Sequence, residues 1–393
     1  MPIVISLLLA FSLAFIVSAS GGLAVDAYYW QKQLVWATLG FAIYFMISRV
    51  HYRVFLERAH WVYYIGIALL LLLWVPHVGE IREGSRRWLN LGPILSFQPV
   101  EVAKIGTLLM VCSILARSQV GTFRNSLIAL LKVALAVMIP FVLIFAQPDL
   151  GSAMVLPPMT LALLYASNLT TRFFRVAALV ALALVALLTV DLIRYVNFVR
   201  ENNFSFTDPD QHGLYEKQAL LPLKDYQRNR ILVFAAPEVV DPHGIGASWN
   251  QRQSLITVGS GGFFGKGWKE GTQARLGYLP STVAHNDFIF SVIAEETGFV
   301  GAVIVLGLLA ALIVVTLYVA SRAADRFGRL LGVGVCVILM THIFVNIAMT
   351  IGLMPIKGIP LPFVSYGGSF LLGAFVLTGM VASVDRFRLS RAP

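Results

Sequence analysis

The stretch AHNDFIFSVIAEETGFVG, residues 284–301, carries Asp287, Glu295 and Glu296 in an otherwise apolar run. Carboxylates in lipid are expensive, so each is either a buried partner or a working group. Other polar groups interrupt apolar runs elsewhere: Arg86, Arg87 and Trp88, then Glu101 and Lys104, Gln147 and Asp149, Lys266 and Lys269, and Lys357, Ser365 and Tyr366. Gathered at one level, such basic, acidic and hydroxyl groups would line a cavity for an anionic, partly polar substrate. Glu101 and Lys104, spaced i, i+3, can pair on a helix, either as a neutralising salt bridge or as substrate contacts. Arg86 and Arg87 could instead snorkel to headgroups. Glu295 and Glu296 lie about 12 Å along a helix from Asp287 and need a partner such as Lys104, which favours a structural role for both. Asp287 reads either as a helix N-cap, a place Asn286 could equally fill, or as a base at the mouth of a cavity. The positive end of a helix would favour the charged carboxylate there.

The elements that must position these groups are membrane helices. The chain has 393 residues, 58% of them hydrophobic and only 13% charged, and its mean hydropathy is +0.78. Soluble domains carry roughly a quarter charged residues. The expected fold class is an all-α integral membrane protein, one transmembrane domain over residues 1–393. The net charge of +10 sits in short clusters between apolar runs, which reads as topology and not as a nucleic-acid patch. Cys112 and Cys336 lie inside apolar runs and offer neither a disulfide framework nor a zinc pattern. The seven histidines include no pair at ligand spacing.

Apolar runs long enough to span fall near 3–20, 33–49, 61–77, 99–116, 127–147, 152–167, 173–196, 286–319, 330–352 and 366–385, ten in all. The first lacks a positive n-region and is long enough to span, so it reads as a helix and not as a signal peptide. The pair around Pro148 could be one kinked span, because QPDLGSAMVLPPM breaks the hydrophobicity. With ten spans, Arg49, Arg53 and Arg58, Arg117, Arg124 and Lys132, Arg172 and Arg175, Arg322, Arg326 and Arg329, and Arg386, Arg388 and Arg391 share one side. The positive-inside rule makes that side cytoplasmic, with both termini on it. Residues 197–285 then form a large extracytoplasmic loop between the seventh and eighth spans. Its middle, LPLKDYQRNRILVFAAPE, reads as an amphipathic segment at headgroup level. GLMPIKGIPLPFVSYGGSF reads as a broken segment lining a cavity.

Several stretches together resemble the SEDS family (shape, elongation, division and sporulation), in its branch of RodA-type peptidoglycan glycosyltransferases. They are RRWLNLG at 86–92, FQPVEVAK at 97–104, QPDLGSAM at 147–154, DPHGIGASWNQRQSLITVGSGGFFGKGW at 241–268, AHNDFIFSVIAEETGFVG at 284–301 and GIPLPFVSYGGSF at 358–370. GKGWKEGTQ resembles the elongation type over the division type. The resemblance implies ten membrane helices with a large outer loop before the eighth, a place in the bacterial cytoplasmic membrane, and polymerisation of lipid II during cell elongation. It also implies a class B penicillin-binding protein as transpeptidase partner, beside other elongation-complex membrane proteins. The aspartate the family needs for activity maps to Asp287 of His285-Asn286-Asp287, and its last-loop Lys-Gly to Lys357-Gly358. Two departures stand out: LPSTVAHND replaces the usual Leu-Pro-Glu-x-His-x-Asp, and Val100 replaces a serine in Gln98-Pro99-Val100-Glu101.

These readings make Asp287 the candidate catalytic residue. Arg87, Trp88, Glu101, Lys104, Gln147, Asp149, Ser254, Lys266, Lys357 and Ser365 are the candidate substrate-binding residues. Lys104, Arg87 and Lys357 would meet the diphosphates, and a divalent cation, Mg or Mn, could share that task. A transporter that flips lipid II is the alternative, since ten helices and broken segments fit it too.

Overall fold

The protein is described here from a computed structural model covering all residues except 21–27, 76–77, 83–84, 91–95, 119–122, 170, 203, 205, 207–212, 242, 247 and 390–393. In hydrocarbon each backbone amide must find its partner within its own segment, so long apolar runs become helices. The chain opens with α1 (Pro2–Ala19), α2 (Tyr29–Arg49) and α3 (Arg53–Leu72). A small antiparallel sheet follows, β1 (Gly79–Arg82), β2 (Ser85–Asn90) and β3 (Ser96–Phe97), in that order. Then come α4 (Pro99–Arg117), α5 (Phe123–Ala146), the broken pair α6 (Leu150–Ala153) and α7 (Leu156–Ala166), and α8 (Thr171–Glu201). Five shorter helices, α9 (Asp225–Ala235), α10 (Pro237–Val240), α11 (Trp249–Ser260), α12 (Thr272–Arg275) and α13 (Ser281–Ala284), lead to α14 (Ile289–Ser321), α15 (Arg326–Thr350) and α16 (Gly368–Phe387).

The fold is mostly helical, and eight of its described helices are long and apolar enough to cross a membrane. The other two expected spans differ. Helix α2 carries Gln31, Lys32 and Gln33 in its first turns, and α6–α7 forms a shorter apolar piece, Leu150–Ala166. The sheet departs from the all-α expectation; its strands of four, six and two residues are too short to leave a clear alternation in the sequence.

Helix α4 is the central one, with 78% of its spanning window buried, whereas α8 has 6%. Small residues let α3 approach α4 closely: a Cβ on Gly106 would lie 2.8 Å from Tyr63 Cα, and one on Gly66 2.8 Å from Ala103 Cα. The described basic clusters after α2, α4, α7 and α14 flank one end of the bundle. There Asp325 accepts from the Tyr52 hydroxyl at 3.0 Å and from Arg53 at 3.3 Å. Arg326 donates to the Ser118 carbonyl at 2.8 Å and to the Ser167 carbonyl at 3.1 Å. The α2–α3, α4–α5, α7–α8 and α14–α15 connections therefore meet, which requires α6–α7 to return what α5 carries away.

Helix α14 is broken at Gly298, whose φ of 67° is left-handed. The glycine-rich loop after α11 supplies the partners lost at the break. Lys266 and Gly267 amides donate to the Glu295 and Glu296 carbonyls, both at 3.0 Å, and the Phe299 amide donates to the Gly262 carbonyl at 2.9 Å. Beyond α8, the following segment folds over its own core of Tyr195, Val199, Tyr215, Leu232, Val233 and Val240. The buried Arg228 of α9 joins it, 2.9 Å from Asp191 and 3.3 Å from Asp225. The segment read as amphipathic thus contains α9, a helix docked on the end of α8. Much of the polar stretch 201–213 lies outside the described residues.

Candidate active site

Polar groups gather at the end of the bundle opposite the basic clusters. Asp287 lies just before α14, whose N-cap is Phe288 and has no side-chain cap bond. Asp287 therefore sits one residue before the N-cap position. The Asp287 backbone is held instead: Asn346 of α15 donates its amide to the Asp287 carbonyl at 3.0 Å and to the Ile359 carbonyl at 2.7 Å. The preceding residues are pinned from α2 and the turn before α16. Ser365 donates to the Asn286 carbonyl at 2.6 Å and accepts from the Leu361 amide at 2.8 Å. The His285 ring stacks on Tyr29 at 4.4 Å and meets Tyr366 edge-on at 5.2 Å. A serine expected at the substrate thus shapes the loop that carries the carboxylate.

Lys357-Gly358 faces Asp287. Gly358 has φ 59°, and a Cβ placed on it would lie 3.3 Å from Asp287 Oδ2, so only a glycine lets this backbone come so near the carboxylate. A Cβ on Gly151 of α6 would lie 2.7 Å from the Lys357 carbonyl, which seats the α5–α6 turn on the same loop. Asp149 caps α6 through the Ser152 amide at 3.1 Å and hydroxyl at 2.8 Å, and receives the Gln98 amide at 3.4 Å. Arg87 on β2 donates to the Pro148 carbonyl at 2.6 Å, while its Nε is buried without a partner among the described residues. The half-buried Trp88 pairs with Glu80 across β1 and β2. The Arg86 side chain lies outside the described residues.

Burial, then the nearby charge of Arg230, pushes the Lys357 ammonium down to about 8. A half-buried lysine with the charge of an exposed arginine near it creates a demand for an anion. Arg230, on α9, escaped the sequence reading because it lies within a mixed aromatic and basic segment, 127 residues before Lys357.

On α4, Glu101 and Lys104 form the expected pair at 2.9 Å, and Lys104 also meets His342 Nε2 at 3.3 Å. His342 Nδ1 lies 3.3 Å from the Pro360 carbonyl, which ties this pair to the Lys357 loop. His342 was missed because a lone histidine in an apolar run carries no spacing signal. Asn346, a lone amide in the ninth apolar run, carries no spacing signal either, yet it reaches Asp287.

Three candidates stand apart. Gln147 donates to the Leu70 carbonyl at 2.9 Å. Ser254 shares a hydrogen bond of 2.8 Å with Ser291, four residues past Asp287, and donates to the Thr350 carbonyl at 2.8 Å. Lys266 is bound to Glu295 at 2.6 Å and to the Thr272 hydroxyl at 2.7 Å. Glu295 Oε1 also takes the Thr272 amide at 2.9 Å, and Glu296 takes Ser18 of α1 and the Lys269 amide. The two glutamates are thus structural, as expected, with Lys266 in the place foreseen for Lys104. Among the described residues no group of three or more His, Cys, Asp or Glu side chains could hold a metal ion.

A family model for cell cycle proteins, FTSW_RODA_SPOVE, matches residues 1–390. The chain belongs to this family. Among its relatives, the peptidoglycan glycosyltransferase MrdB of Escherichia coli strain K12 is 36% identical over 389 residues, covering 99% of this chain and 93% of MrdB. The peptidoglycan glycosyltransferase RodA of Treponema pallidum strain Nichols is 32% identical, covering 91% and 90%. Among solved structures, a chain of a peptidoglycan synthase complex that coordinates polymerization and crosslinking superposes with a TM-score of 0.74 at 28% identity, covering 99% of this chain and 97% of that one. The rod shape determining protein RodA of Thermus thermophilus gives 0.66 at 25% identity, covering 99% and 96%. Family membership therefore spans every segment of the cluster around Asp287.

Proposed function

We infer that this chain is a peptidoglycan glycosyltransferase that polymerises lipid II during cell elongation. Within the cluster the supporting observation is one juxtaposition: the Asp287 carboxylate against the Lys357-Gly358 turn, with the Arg230 charge acting on Lys357. An acceptor hydroxyl is a poor nucleophile at neutral pH, and a lipid diphosphate needs its charge met as it leaves. Asp287 takes the proton from the acceptor hydroxyl as that oxygen bonds the donor's anomeric carbon. The bond from that carbon to the phosphate oxygen breaks, and the electron pair leaves with the diphosphate. Lys357, Arg230 and the unpartnered edge of Arg87 hold the departing charge, and Asn346 and Ser365 fix the Asp287 segment. A divalent cation, Mg or Mn, bound with the diphosphate would share this charge with the chain's own cations.

The same reading gives ten crossings of the bacterial inner membrane: α1 to α5, α6–α7 as one broken span, α8, and α14 to α16. The basic end is cytoplasmic with both termini, and the long segment between α8 and α14 lies outside, where the site opens. A class B penicillin-binding protein crosslinks what this chain polymerises, as the synthase-complex relative suggests, with other elongation-complex membrane proteins beside it.

The test uses the purified full chain in liposomes with labelled lipid II, with and without that partner. The reading predicts glycan ladders on a gel. Movement of lipid II between leaflets with no polymer under any partner condition would make the chain a transporter.

A further inference from the structure

A cavity of about 490 Å3 opens between α3, α4 and α5, at the basic end of the bundle. Its wall carries Arg117, Lys132 and His60, with Ser113, Ser118 and Asn125, and no carboxylate stands among its lining residues. Arg117 lies thirteen residues beyond Lys104 on α4, about 20 Å along the helix, so this cavity is separate from the Asp287 cluster. Ser113 is 7% exposed, and its hydroxyl has no hydrogen-bond partner among the described residues. Thr107, earlier on the same helix, returns its hydroxyl to the Ala103 carbonyl at 2.7 Å. Ser113 does not, and so leaves a donor and acceptor at the wall. Arg117 uses one nitrogen weakly, 3.4 Å from the Leu56 carbonyl, which leaves most of its fork available. The same helices carry exposed apolar side chains beside the lining residues in sequence: Trp61 and Ile65 on α3, Leu131 and Leu135 on α5.

A cationic pocket with the Ser113 hydroxyl on its wall, set between helices that also carry exposed apolar side chains, matches one class of ligand. We propose that this cavity binds the acidic headgroup of a phospholipid, its phosphate between Arg117 and Lys132 and its acyl chains along Trp61, Ile65, Leu131 and Leu135. Basic pockets between membrane helices recognise anionic headgroups in this way, and zwitterionic lipids gain less from them. The bound lipid would bridge α3 and α5 across α4, the helix whose other end carries Glu101 and Lys104.

The full chain, purified in detergent, is exchanged against phosphatidylglycerol or phosphatidylcholine and the retained lipid is measured by native mass spectrometry. The wild type should retain phosphatidylglycerol in clear preference. Lys132→Gln, on an exposed side chain that makes no hydrogen bond or ion pair among the described residues, should weaken that preference about five-fold while lipid II polymerisation stays normal. Adding Arg117→Gln should abolish it. An unchanged preference in both variants overturns the proposal. So does thermal stabilisation by inorganic phosphate alone with no preference between the lipids, which would assign the cavity to a free anion.

Discussion

Lys357 is the residue at which charge and pH meet. Burial and Arg230 bring its ammonium down to about 8, so it carries its charge at neutral pH and loses it as pH rises through that value. A bound diphosphate favours the charged form, so substrate affinity should fall on the alkaline side. The KM for lipid II is expected to rise about tenfold between pH 7 and 9, the scale of one charge-assisted contact. Lys357→Arg should flatten that rise because an arginine stays charged. A KM that is flat with pH in the wild type would detach Lys357 from the substrate. At this scale the sequence was legible where partners are neighbours in the chain. Glu101 and Lys104 declared themselves by i, i+3 spacing and do pair at 2.9 Å. Lys266 and Glu295, and Asn346 and Asp287, meet only because a loop and two helices fold together, and no local pattern announces that.

At the scale of elements, apolar length and basic flanks placed most of the helices within a few residues, since both follow from the bilayer itself; α3 is the exception, beginning at Arg53 where the apolar run was read from residue 61. The small sheet escaped, and so did the break in α14, because a single glycine in an apolar run does not reveal its φ. That break has a measurable consequence. A Cβ on Gly298 would lie 2.3 Å from the Gly265 amide nitrogen, with both backbones left-handed. Gly298→Ala should therefore lower the thermal unfolding temperature of the detergent-solubilised chain by several degrees, a loss of more than about 1 kcal/mol. Gly307→Ala, at a position on the same helix with open space around it, is the control and should leave stability nearly unchanged. Equal unfolding temperatures for the two variants would mean that the hook around Gly265 does not support α14.

The whole molecule is organised by separation of charge. Arginines clamp one end through Asp325 and Arg326, and the acidic, basic and hydroxyl groups that could join sugars collect at the other. In sealed cells, a cysteine in place of Lys217 in the long segment after α8 should react with an impermeant maleimide, and one in place of Arg322 only after lysis; the native Cys112 and Cys336 are buried and silent. Reaction of both from outside would undo the proposed orientation. The most direct test of the central claim is the rate of lipid II polymerisation by Asp287→Asn beside the wild type, in the same liposomes with the same transpeptidase partner. Asparagine keeps the shape of the side chain and cannot accept the proton, so the rate should fall by about a hundredfold or more. A variant that makes glycan at the wild-type rate would contradict the claim that this carboxylate is the base.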